Sequence, residues 1–219
     1  MLRLLFEKTG NAVWISHLDL MRVFQRAFKR AGLQLTHTQG YNPRPSVSIA
    51  LPMSVGMESR CELLDFALDG EIPSFDEICY RLNDALSEGV RVIAVYERGR
   101  KVGDLALLEC AITLEYDDGI PVGTEKAISE LLSREEVIVP KRTKNGVQNQ
   151  NIASMIHKFD VECLSDREIV INTLICCQNP TLNPMQIPAA IAAYLPSMRP
   201  DFSKCCRLEI FDQKKNVFR

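Results

Sequence analysis

The feature that most constrains this chain is an order of elements, strand-helix-strand-strand-helix-strand, that runs once and then runs again. In the first half, apolar and β-branched runs predict strands at residues 2–8, 33–38, 47–51, 62–68 and 90–96, with the second strand doubled around a loop. Helices fall between them at 16–31 and from Ser74 onward. Ser74 and Glu77 form a capping box there, Ile78, Leu82, Ala85 and Leu86 make the stripe, and Gly89 is the expected stop.

Residues 97–104 (Glu97-Arg-Gly-Arg-Lys-Val-Gly-Asp104) are polar and Gly-marked, the composition of a linker. Beyond them the order repeats. Strands are predicted at 108–116, 137–141, 160–164, 169–177 and 206–211, with helices at 124–133 and from Asn183-Pro184. Pro188 should shorten or kink that last helix. A basic loop, Lys141-Arg-Thr-Lys-Asn-Gly146, and an amphipathic stretch with Ile152, Met155, Ile156 and Phe159 lie between. The fold expected is α+β: two ferredoxin-like halves in tandem, at 1–97 and 105–219, each a split β-α-β unit with both helices on one sheet face.

The first helix carries the strongest local signal. Ser16 is placed as N-cap with Asp19 three residues on, and Gly32 follows the last turn. Leu20, Phe24, Ala27, Phe28 and Ala31 repeat at helical spacing as a buried face. Arg22, Arg26, Lys29 and Arg30 repeat on the other side. After Asp19 no acid appears until Glu58, so these cations lack neighbouring partners in sequence.

Charge is distributed unevenly along the chain. Over residues 1–50 seven cations (Arg3, Lys8, Arg22, Arg26, Lys29, Arg30, Arg44) stand against Glu7 and Asp19, 7 − 2 = +5, while the whole chain is −2. A near-neutral total therefore hides a polarised molecule, and a basic face of this kind suits a polyanion such as RNA.

The segment Thr36-His-Thr-Gln-Gly-Tyr-Asn-Pro-Arg-Pro45 is rich in residues that restrict the backbone. Gly40 permits positive φ, Asn42-Pro43 starts a turn, and Pro-Arg-Pro holds Arg44 extended. Rigid presentation suits Tyr41 to stack on a base and Arg44 to pair with a phosphate. A purely structural loop would use the same residue types.

Chemistry on the chain itself finds little support. His17 and His37 flank the basic helix and are the candidates for acid–base cleavage of RNA, since imidazole titrates near neutrality. No nucleotide-binding, serine-hydrolase, zinc-protease or paired-carboxylate signature is present.

The eight cysteines (Cys61, Cys79, Cys110, Cys163, Cys176, Cys177, Cys205, Cys206) have neither C-x-x-C nor cluster spacing. They read as small buried hydrophobes, and no metal or cofactor is expected. The pairs Cys176-Cys177 and Cys205-Cys206 fall on two strands of the same half and leave a soft-metal site open as an alternative. No stretch approaches the roughly 20 apolar residues of a membrane span, and the start lacks signal-peptide character, so a cytoplasmic location is expected.

Three strings, Trp14-Ile-Ser-His-Leu-Asp-Leu-Met-Arg-Val-Phe-Gln-Arg-Ala-Phe-Lys-Arg-Ala-Gly32, Thr38-Gln-Gly-Tyr-Asn-Pro-Arg-Pro45 and Ala50-Leu-Pro-Met-Ser-Val-Gly56, resemble the radical SAM-linked protein family. This is a bacterial family of unknown function, found alone or fused behind a cobalamin-binding radical SAM domain. The resemblance covers about the first 70 residues, and the chain departs from the family pattern at Arg44. It implies a radical SAM enzyme as partner, in which the radical chemistry would reside.

The expectation is an accessory protein that recognises RNA, transfer or ribosomal, for such an enzyme. Arg22, Arg26, Lys29 and Arg30 would contact phosphates, Tyr41 would stack and Arg44 would clamp. Two alternatives stand beside it, a metal-independent endoribonuclease using His17 and His37, and a protein-only adaptor of the enzyme.

Overall fold

The computed structural model describes residues 1–143 and 146–219; Lys144 and Asn145, from the expected basic loop, lie outside the described residues. The fold is α+β. The chain divides into two compact units, Met1–Asp104 with Phe218–Arg219, and Leu105–Val217. Residues 97–104, expected as linker, belong to the first unit, and so do the last two residues of the chain.

The first unit contains β1 (Leu2–Lys8), α1 (His17–Arg30), β2 (Val47–Ile49), β3 (Glu58–Phe66), α2 (Phe75–Ala85) and β4 (Val90–Glu97). Its strands lie in the order β4-β1-β3-β2. Every neighbouring pair is antiparallel, which is the strand order of a split β-α-β unit. Leu2, Leu4 and Phe6 alternate onto the face that both helices cover, and they join one core with Leu20, Phe24, Phe28, Ile78 and Leu82. Phe6 meets Phe24 at 4.7 Å between ring centroids, and Phe28 meets Phe66 at 4.9 Å. Each fully buried phenylalanine contributes roughly 1.5–3 kcal/mol through removal from water.

Period two also puts Arg3 on the opposite face, directly across from Asp65 of β3. Arg3 is fully buried there, and Asp65 accepts from its Nε at 2.6 Å and its Nη2 at 3.0 Å. Phe218 covers the pair, with the Arg3 guanidinium 5.1 Å from its ring centroid and Arg100 at 4.6 Å.

The second unit contains β5 (Leu105–Glu115), α3 (Thr124–Leu132), β6 (Ile138–Thr143), β7 (Gly146–Asn151), β8 (Ile156–Cys163), β9 (Glu168–Cys176), α4 (Gln186–Tyr194) and β10 (Phe202–Asp212). Four strands repeat the arrangement as β10-β5-β9-β8, again with antiparallel neighbours. Here β6 and β7 form a separate two-stranded hairpin inserted between α3 and β8.

Several elements differ from expectation. Residues 33–38 make isolated bridges, Leu35 to Leu68 and His37 to Pro45, and not a full strand. Pro43 and Pro45 have no N–H to donate, so a ladder beside them cannot propagate. The expected amphipathic stretch is divided between a 3-10 turn at Ala153–Met155 and the start of β8 at Ile156. Pro188 lies in the first turn of α4, where its missing N–H would have had no helical partner, so the helix runs through it.

Candidate nucleic-acid interface

α1 is built as its sequence dictates. The Asp19 backbone N–H donates to Ser16 Oγ at 3.2 Å, and Ser16 Oγ donates to Asp19 Oδ2 at 2.7 Å. At the other end, Leu33 N–H donates to the Phe28 carbonyl at 2.9 Å and Gly32 N–H to that of Lys29 at 3.2 Å. This double closure requires the left-handed φ of +67° that Gly32 adopts.

Leu20, Phe24, Ala27 and Phe28 are buried, so the 100° helical step leaves Arg22, Arg26 and Lys29 exposed on the opposite side. The seven cations counted in sequence are not equivalent. Arg22 Nη1 donates to Asp19 Oδ1 at 2.7 Å. The Ser16 hydroxyl, and then Arg22, hold the Asp19 carboxyl below the usual carboxylate range. Arg30 is exposed, and its Nη2 donates to the Ala85 carbonyl at the end of α2, so one of its donors joins the two helices.

Arg3 and Lys8, by contrast, are withdrawn from the surface. Arg3 pairs with Asp65, and the buried Lys8 ammonium donates to the carbonyls of Val13 and Ile15 at 3.1 and 3.0 Å. The outward charge of this unit's amino-terminal region therefore rests on Arg26, Lys29 and Arg44, with Arg22 shared with Asp19 and Arg30 with the Ala85 carbonyl.

The loop predicted to be rigid is closed at its base. Thr38 N–H donates to the Arg44 carbonyl at 2.8 Å, and Arg44 N–H donates back to Thr38 Oγ1 at 3.0 Å. Ser46 N–H donates to the Thr36 carbonyl at 2.7 Å, and Thr36 N–H to that of Ala67 at 2.9 Å. At the tip Tyr41 is 99% exposed, and Arg44 is exposed beside it.

The two histidines sit on different elements. His17 is the first residue of α1, whereas His37 lines a cleft with Lys29. The rise of 1.5 Å per residue puts about 18 Å of helix between His17 and Lys29.

The cleft itself was not read from sequence. It encloses about 470 Å³ between the last turn of α1 and residues 33–37, with Gln25, Phe28, Lys29, Gln34, His37 and Asp69 in its wall. Trp14 and Leu18 were also passed over as surface groups, yet they are 66% and 68% exposed at the start of α1. The available signal was Leu18 falling outside the spacing of the buried stripe.

The cysteine pairs do not converge. Cys176 lies opposite Leu107 of β5 and Cys205 opposite Ile112, five positions apart and so about 17 Å along the strand. Among the described residues no group of three or more His, Cys, Asp and Glu is placed to hold a metal ion. Cys176 Sγ does meet His157 Nε2 at 3.2 Å, and burial raises that thiol's pKa. No helix among the described residues is long and apolar enough to cross a membrane.

The family model for DUF2344 matches residues 1–184, which span β1 to the loop before α4. The chain belongs to this family, described as uncharacterized protein conserved in bacteria. No curated protein matches this DUF2344 member. Among solved structures it is similar to a chain in the "Crystal Structure of a Cbf5-Nop10-Gar1 Complex", with 11% identity and a TM-score of 0.52 over 95% of this chain. It spans about half the length of that solved chain, 48%. At such identity the likeness is one of fold alone. A second similar structure, an unknown protein from Galdieria sulphuraria, has 10% identity and a TM-score of 0.26 over 94% of this chain and 96% of that one, and carries no argument.

Proposed function

We propose that this protein binds single-stranded RNA as the substrate-recognition partner of a radical SAM enzyme. The observation that carries the RNA reading is the continuity of one surface in the first unit. The exposed face of α1 bears Arg26 and Lys29, Lys29 also lines the cleft, and the loop that leaves the cleft at His37 and returns at Pro45 holds Tyr41 and Arg44 outward. Cations that track a backbone, together with a rigid exposed aromatic, are the two requirements for binding a single strand. A loop already closed by reciprocal hydrogen bonds loses little freedom on binding.

The radical SAM partner is supported by the resemblance carried by Trp14 to Gly56. Trp14 and Leu18 offer an exposed apolar surface for it at the start of α1. The chemistry would belong to that partner, this chain supplying contact and position.

The test is fluorescence anisotropy of a labelled single-stranded RNA across a potassium chloride series. Each phosphate contact contributes about −0.7 to the log–log slope on single strands. Changing Arg26, Lys29 and Arg44 together to Gln should flatten it by about 2. Arg30→Gln should leave the slope alone, because that guanidinium is engaged with Ala85. Absence of binding by the unaltered protein at low salt overturns the reading.

A further inference from the structure

We propose that the cleft at the carboxyl end of α1 takes one unstacked RNA base and prefers guanine to uracil, an inference that rests on the RNA-binding reading above. Its volume of about 470 Å³ lies within the range of pockets for small organic ligands. Buried Phe28 and Leu33 supply an apolar floor, and Pro45 and Leu35 an apolar wall, as a base face requires.

The polar lining selects a base over a phosphate. Asp69 contributes a carboxylate to the wall, and the carboxyl end of a helix carries partial negative charge. Both repel a phosphate and both favour N–H donors. Guanine presents N1–H and its 2-amino group side by side, the pair of donors that a carboxylate accepts with its two oxygens. Uracil presents one N–H between two carbonyls, which such a carboxylate repels. Gln25 and Gln34 add amide groups that donate and accept.

The walls are tied in place before any ligand arrives. Asp69 N–H donates to the Gln34 carbonyl at 2.8 Å, and Asp69 Oδ1 accepts from Gly70 N–H at 3.0 Å. Leu35 is bridged to Leu68 and His37 to Pro45. A base held here leaves its own phosphate near Lys29 and its neighbour towards Tyr41, so the cleft and the basic face serve one strand.

The experiment compares an all-uracil RNA decamer with the same decamer carrying one central guanine, by anisotropy at fixed salt. The guanine decamer should bind about tenfold more tightly, within the range of one base-edge contact. Asp69→Asn, at an exposed position, should abolish that preference. Leu35→Trp, which fills the cleft, should also abolish it. Thermal unfolding of both variants checks that the fold persists, and each serves as the control for the other. Equal binding of the two decamers with a steep salt slope overturns the pocket and spares RNA binding. Failure of both decamers to bind the unaltered protein overturns both.

Discussion

Asp19 accepts from Arg22 at 2.7 Å on the outer face of α1, so the only acid in that helix shields the first of its surface cations. The same carboxylate accepts from the Ser16 hydroxyl that caps the helix. One residue thus serves both helix initiation and the electrostatics of the face proposed to meet RNA.

If the proposed RNA face is correct, replacing Asp19 with Asn should make binding tighter. Asn keeps a side-chain oxygen for the Ser16 hydroxyl, removes one repelling charge and releases Arg22. The salt slope should steepen by about 0.7, one further phosphate contact on a single strand. Unchanged anisotropy titrations for Asp19→Asn would show that the Arg22 end of α1 lies outside the interface.

Two glycines separate backbone strain from steric exclusion. Gly32, with φ at +67°, has no atom within 4 Å of an added Cβ, so Gly32→Ala meets strain alone, about 1–2 kcal/mol. Gly89, at +82°, would bring a Cβ to 2.5 Å from the Thr9 carbonyl oxygen and 2.8 Å from Ala12 Cβ. That carbonyl belongs to backbone tied to Gly89 itself, since Thr9 N–H donates to the Gly89 carbonyl at 2.8 Å. Gly89→Ala should cost more than Gly32→Ala, and chemical denaturation of the two variants ranks them. The reverse order would place the Thr9 loop among regions that yield easily.

Stability should decline on the alkaline side. Burial pushes the Cys177 thiol up to about 11 and the Tyr116 hydroxyl up to about 12. Both groups keep their protons in the folded state at pH values where the unfolded chain has lost them. The stabilisation is then full below the unfolded values, which are 9.0 for Cys and 10.0 for Tyr, and is lost progressively as pH rises towards the folded ones. Unfolding midpoints from pH 8 to 11 should fall, and Cys177→Ala should show a shallower fall. An equal slope in that variant would move the effect away from this thiol.

Much of the first unit was legible because its determinants act within a few residues. Ser16, Gly32, Ser74 and the stripe of Leu20, Phe24, Ala27 and Phe28 state a cap, a stop or a buried side within one or two helical turns. β7 was missed because its sequence, Gly146-Val-Gln-Asn-Gln-Asn151, has no apolar alternation to announce a strand. Gly89 was read as the stop of α2, but that helix ends at Ala85 and the glycine serves the close approach of Thr9.

By itself the sequence determined the α+β order of elements, the ends of α1 and the division of that helix into a buried and a basic side. These follow from backbone periodicity and from hydrogen bonds that span only a few residues. Only the tertiary structure decided which acceptor each of these cations takes. A long side chain takes whatever acceptor the fold sets opposite it, Asp65 for Arg3, the Val13 and Ile15 carbonyls for Lys8, Ala85 for Arg30. The same holds for the cleft formed where residues 33–37, Pro45 and Asp69 meet the end of α1. Those contacts join residues far apart in the chain, and no local pattern encodes them.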